Sequence, residues 1–173
     1  AEIAALLEME DLTDIVMVAT SSGGMVVAAA AERARSRISR LVFADALALT
    51  DGEKIRDIIT QPASIETDLA VGRSTEDAAV GLFKDLEPDL RQWAVDRLTL
   101  HPRAVYYETV KLPTFWSQTW EAMVIYCTEA ANPGEPHQAR TAKMLDASWH
   151  EIKTGHYPML STPDRLVELV LSI

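Results

Sequence analysis

Apolar positions along this chain alternate between two periods. Residues Glu2 to Glu10 carry Ile3, Leu6, Leu7 and Met9 among Ala and Glu, at spacings of three and four that predict an amphipathic helix. Ile15 to Val18 is a continuous apolar run, the pattern of a short strand buried on both faces. Small residues come directly after it, with Ser21 at their centre. Then comes an Ala-rich stretch, Met25 to Arg35, whose basic end suits a helix C-terminus. Ile38-Ser39-Arg40 leads into a second short strand, Leu41 to Ala44. Strand, helix and strand in that order predict a parallel pair joined by a right-handed crossover.

The middle of the chain changes character. From Asp51 to about Leu112 no segment has strand periodicity. Ser74-Thr-Glu-Asp77 has a capping-box pattern ahead of Ala78, Val80, Leu82 and Phe83, and Pro88 to Leu98 has proline in its first turn and an apolar side. Pro102 and Pro113 punctuate the stretch after this helix. Met123 to Cys127 then resumes the strand pattern, Ala131 to Gly134 is a turn cluster, and Pro136 to Leu145 predicts a helix. Trp149 to Lys153 predicts a strand, Thr154 to Pro158 a loop, and Pro163 to Ile173 a closing helix. The fold class expected is α/β, a mostly parallel sheet flanked by helices with a helical cap insertion. Residues 1–50 and 121–173 form the two parts of the core of a single domain, and 51–120 form the insertion.

Composition narrows the function classes. The chain has 173 residues, enough for one domain with a substantial core. Its net charge of −10 disfavours nucleic acid, whose phosphates want a basic surface. No apolar run approaches the roughly 20 residues that cross a bilayer. Ala1-Glu2-Ile3 shows no basic segment leading an apolar one, and the absent initiator Met suits a processed chain or a fragment. The single Cys127 cannot close an internal disulfide, which fits a reducing, cytoplasmic setting. His101, His137, His150 and His156 are scattered, so neither a metal nor another cofactor is expected.

The chemistry gathers at Ser21. A short strand, a turn of small residues and a helix present a serine as a nucleophile. Such a serine needs a base, usually histidine, and two N–H groups facing the oxyanion. Ala19-Thr20-Ser21-Ser22-Gly23-Gly24-Met25 resembles the G-H-S-x-G-G-M nucleophile elbow of the α/β-hydrolases, with Ala19 for the first Gly and Thr20 for the His. The resemblance continues through Ala31-Glu32-Arg33, Ile38 to Ala46, Asp89 to Ala94, Val124 to Glu129 and Gly155 to Asp164. The chain is thereby most similar to the branch holding plant methylesterases, hydroxynitrile lyases and their bacterial relatives. The resemblance implies Ser21 as nucleophile, His156 as base and the Ser22 N–H as one oxyanion donor. Gly23 and Gly24 are expected to let the helix pack closely on neighbouring backbone.

The acid is left open. Relatives carry Asp after the strand equivalent to Met123–Cys127, where this chain has Ala130. Glu129, displaced by one, is the first choice; Asp45, at the end of the preceding strand, is the second; a site without an acid is the third. Phe83, Trp93, Trp116 and Trp120 are candidates for an apolar pocket wall. Only Ala1 to Thr13 precede the first strand, and no Gly-rich loop supplies the second oxyanion donor. The resemblance therefore fits a C-terminal portion lacking the first strands, completed by an N-terminal segment, a second chain or a homo-oligomer. The functions in play are a serine esterase cleaving a small apolar carboxylic ester, thioester or lactone; a lyase using the same serine and histidine, which wants a cation such as Lys111 or Lys143 nearby; and a non-catalytic binder of small ligands or assembly subunit.

Overall fold

A computed structural model describes residues 2–173. Helix α1 (Glu2–Met9) precedes strand β1 (Ile15–Ser21), helix α2 (Gly23–Arg33) and strand β2 (Ile38–Ala46). Short elements come next: α3 (Ile55–Ile58), β3 (Ile65–Glu66), β4 (Ala70–Gly72), α4 (Thr75–Asp77), α5 (Pro88–Val95), β5 (His101–Pro102) and α6 (Arg103–Tyr107). The chain closes with β6 (Glu121–Cys127), α7 (Glu135–Leu145), β7 (Ser148–Ile152), α8 (Pro158–Ser161) and α9 (Pro163–Val170). The main sheet has strand order β1-β2-β6-β7, and every neighbouring pair is parallel.

The period of two along β2 and β6 sorts their side chains onto two faces. Leu41, Phe43 and Val124 pack with Ala28 and Ala31 of α2 and with Phe115, Trp120 and Leu145. Val42, Ala44, Met123 and Ile125 pack on the other face with Leu169 of α9. Leu41 to Leu49 are all buried, as expected of a strand covered on both faces. β1 departs from that expectation. Ile15 and Val16 are only half-buried and Val18 is 46% exposed, because β1 is an edge strand with one neighbour.

The segment between β2 and β6 is not purely helical. β3, β4 and β5 form a small antiparallel sheet, with Ile65 opposite Gly72 and Val71 opposite His101. Strands of two or three residues carry too few positions to show a period, so the sequence pattern could not reveal them. Ser74 caps α4 as the sequence predicts, its hydroxyl accepting from the Asp77 N–H at 3.2 Å. The helix at Pro88 stops at Val95 rather than Leu98, and α9 stops at Val170. Among the described residues no helix is long and apolar enough to cross a membrane.

Candidate active site

Ser21 ends β1 in a left-handed conformation, φ +50°, and α2 begins two residues later. A non-glycine residue in that region costs about 1–2 kcal/mol, so the turn is held by its surroundings. One tether is the Leu47 N–H, which donates to the Ser21 carbonyl at 2.8 Å. Gly24 allows this closeness. A Cβ there would lie 2.5 Å from the Leu47 carbonyl oxygen, whereas one at Gly23 would meet nothing within 4 Å. Close packing therefore rests on the second of the two glycines alone. Ser22 is the N-cap of α2, and its carbonyl accepts from the Met25 N–H at 3.2 Å.

The adjacent strand ends in a second irregularity. Thr20 stands opposite Ala44, but Ser21 stands opposite Ala46, which leaves Asp45 as an extra residue on β2. Asp45 also takes a positive φ, +48°. Such a bulge re-aims one side chain out of the strand's alternation. The Asp45 carboxylate meets His156, with Oδ2 2.5 Å from the ring Nδ1. Asp45 is fully buried and His156 nearly so. Burial pushes the Asp45 carboxyl above its ordinary range, against the hydrogen bond and charge of His156, which favour ionisation. Its Oδ1 closes no hydrogen bond of good geometry, although the Cys127 amide is close enough to favour the charged form.

Glu129 makes no such contact. Its backbone N–H donates to the Thr154 carbonyl, and its side chain, half-buried, forms no hydrogen bond with His156. The preference for Glu129 over Asp45 is thus reversed in the geometry. The reason is the bulge on β2, which brings the shorter carboxylate to the ring. The His156 loop is itself fastened by Asp85, which accepts from the Gly155 N–H at 2.7 Å and the Thr154 hydroxyl at 2.9 Å. Asp85 lies in the segment between β2 and β6, and no sequence motif marked it.

Ser21, Ser22 and His156 line one cavity of about 110 Å³. Its wall is completed by Leu47, Ile55, Ile59, Leu82, Leu98, Tyr106 and Tyr157, among others. None of the four aromatics expected there contributes to it. Phe83 is buried against Tyr157, Leu86 and Ala94, and Trp120 is buried in a stack on Phe115. Trp116 donates to the Leu49 carbonyl at 3.0 Å, and Trp93 is 46% exposed beneath Arg97. Aromatics at helical spacing satisfy the core or cover surface, and here they do that. Lys111 and Lys143 do not line the cavity either; Arg73 does.

His137, to which the sequence assigned no role, proves to be buried inside α7. Its Nε2 accepts from the Ala48 N–H at 3.1 Å, while Gln138 donates to the Ala46 carbonyl at 3.1 Å. Arg140 donates to both Glu53 oxygens, at 2.6 and 3.0 Å. α7 thereby grips the segment that comes after Asp45. Desolvation by burial, aided by the Arg140 charge, holds His137 down to about 4. Among the described residues no group of three or more His, Cys, Asp or Glu could hold a metal ion.

The model of a family described as "Alpha/beta hydrolase family" matches residues 1–169. A carbendazim hydrolyzing esterase from Nocardioides sp. (strain SG-4G) is 24% identical over 188 residues, covering 99% of this chain and 76% of that protein. An extracellular alpha/beta-hydrolase from a Paenibacillus species, described as sharing structural and functional homology with Tobacco Salicylic Acid Binding Protein 2, superimposes with a TM-score of 0.86. It is 22% identical, and the match covers 98% of this chain and 76% of that one. A methylesterase from Arabidopsis superimposes with a TM-score of 0.76 at 18% identity, over 98% and 73% of the two chains.

Proposed function

The chain belongs to the alpha/beta hydrolase family, and we propose that it is an esterase-type serine hydrolase in which Ser21, His156 and Asp45 act together. The observation that carries this reading is the joint placement of the three groups. A strained serine and a histidine share one cavity, and a buried carboxylate sits on the ring nitrogen. The esterase named among its relatives and the similarity to a methylesterase support a carboxylic ester as substrate. The segment between β2 and β6 serves as the lid over the site.

The chemistry derives from the groups present. Asp45 holds Nδ1–H of the ring, so Nε2 is the basic nitrogen. Ser21 Oγ attacks the ester carbonyl as Nε2 takes its proton. The negative charge that grows on the carbonyl oxygen is met by the Ser22 N–H and the positive end of α2. The tetrahedral adduct collapses, and the alcohol leaves with the proton from His156. Water, deprotonated by the same nitrogen, then releases the acid and restores Ser21. Asp45 stabilises the imidazolium at each proton transfer and never itself takes the proton.

The test is hydrolysis of p-nitrophenyl acetate by three variants. Ser21→Ala removes activity and abolishes labelling by a fluorophosphonate. Asp45→Asn lowers turnover by roughly four orders of magnitude, the cost of losing a triad carboxylate. Glu129→Gln retains the activity of the parent protein. Undiminished hydrolysis by Ser21→Ala would sink the reading, and a loss confined to Glu129→Gln would reassign the acid.

A further inference from the structure

The cavity wall has an unusual charge pattern. Acidic residues outnumber basic ones by 26 to 16 in this protein, yet among the described residues no Asp or Glu lines the cavity that holds Ser21. Histidines aside, its one charged lining residue among those described is Arg73, which lies just past the end of β4. A cation in a cleft of an acidic protein ordinarily finds a carboxylate. No carboxylate lies within ion-pair distance of Arg73 among the described residues. Its guanidinium makes a single hydrogen bond, to Gln61 Oε1 at 3.1 Å, and so keeps most of its five donors free.

The neighbours of Arg73 suit an anion. Tyr106 and Tyr157 line the same cavity, and neither hydroxyl has a hydrogen-bond partner among the described residues. Burial raises the Tyr106 hydroxyl above its ordinary range, and the nearby Arg73 charge partly offsets this. The His101 ring stands 6.1 Å from the Tyr106 ring, on the same wall. Arg73 also borders an adjoining hollow, which reaches His156 from the side of Lys84 and Glu129. A planar guanidinium with unpaired donors matches a carboxylate in two-pronged fashion, and a phenolic O–H adds a further donor.

We propose that Arg73, assisted by Tyr106, forms a subsite for an ionised carboxyl group of the substrate. The substrate class is then a half-ester of a dicarboxylic acid, or another ester with a carboxylate away from the scissile bond. This rests on the reading of Ser21 as nucleophile for its catalytic meaning, but the anion site itself does not. Glu129 shares the wall of the adjoining hollow with Arg73, but no carboxylate is within ion-pair distance of the guanidinium among the described residues, which leaves the cation available.

The experiment compares mono-p-nitrophenyl glutarate with p-nitrophenyl butyrate, in the parent protein, Arg73→Met and Ser21→Ala. Glutarate binding to the same three proteins is followed by calorimetry, with circular dichroism confirming the fold of each. The expected result is a preference for the anionic ester, and a fall of about tenfold or more in the anionic-to-neutral ratio of kcat/KM in Arg73→Met, expressed in KM. Glutarate affinity falls by a similar factor in Arg73→Met and persists in Ser21→Ala. An unchanged ratio together with unchanged glutarate binding in Arg73→Met overturns the subsite while leaving the serine reading intact. Hydrolysis that survives in Ser21→Ala overturns the serine reading alone. If neither ester is cleaved, Arg73-dependent glutarate binding upholds the subsite, and its absence refutes it.

Discussion

Two adjacent glycines should respond to the same substitution with opposite signs. At Gly24 an alanine Cβ would stand 2.5 Å from the Leu47 carbonyl oxygen, 2.8 Å from its carbon and 3.1 Å from its nitrogen. These are backbone atoms, so no side chain can swing aside. Relief requires α2 and the Leu47 segment to part by several tenths of an ångström. Such overpacking costs about 1–3 kcal/mol. The same displacement stretches the bond from the Leu47 N–H to the Ser21 carbonyl, another ~1 kcal/mol. Against this, alanine in a helix gains about 0.5–1 kcal/mol over glycine. The net expectation for Gly24→Ala is a loss of about 1–3 kcal/mol. Gly23→Ala meets nothing within 4 Å and has no positive φ, so it keeps the helix gain alone. Urea unfolding measures both. With a slope near 2 kcal/mol/M, the midpoints of the two variants should differ by about 1–2 M, Gly24→Ala being the lower. Ester hydrolysis should fall only in Gly24→Ala, because Leu47 lies directly after the segment bearing Asp45. A Gly24→Ala protein as stable as Gly23→Ala would refute the claim that backbone contact fixes the elbow.

His137 predicts an acid-sensitive stability. Burial depresses it from 6.5 to about 4, and its Nε2 accepts from Ala48, a bond that protonation would break. A depressed folded-state value means that its contribution is fully present above pH 6.5 and is lost as pH falls through about 4. The loss amounts to roughly 3 kcal/mol. Urea midpoints at pH 7.5 and 4.5 should therefore fall more steeply for the parent than for His137→Gln, a comparison in which the opposing contribution of Asp45 cancels; parallel slopes would contradict it. Cys127 is fully buried, and burial beside Asp45 and Asp85 raises its thiol far above the usual range. A disulfide reagent should label it only as fast as the protein unfolds, and prompt stoichiometric labelling without denaturant would disprove this.

Much of the architecture was legible in the sequence because it rests on local pattern. The apolar runs at Ile15 and Met123, each with a helical stretch after it, and the run at Leu41 specify parallel strands with crossing helices α2 and α7. The turn of small residues at Ser21 and the loop at His156 were legible for the same reason, since a strand-to-helix turn constrains its own residue types. The four pocket aromatics were misassigned because periodicity says that a side chain is buried and not against what.

What the sequence alone determined is the order of the main-sheet elements and the strand–turn–helix at Ser21. Tertiary structure decided the rest. One extra residue on β2 turned Asp45 rather than Glu129 toward His156, a choice of register that no spacing reveals. Burial and Ala48 gave His137 its low affinity for protons. Contacts across 69 and 70 residues tied Asp85 to Thr154 and Gly155. Arg73 became a candidate anion site only when the cavity holding Ser21 proved to have no carboxylate in its wall and Arg73 no ion-pair partner, among the described residues. Local propensity depends on a residue and its near neighbours. Charge pairing, desolvation and strand register depend on groups far apart in the chain, and folding alone brings those together.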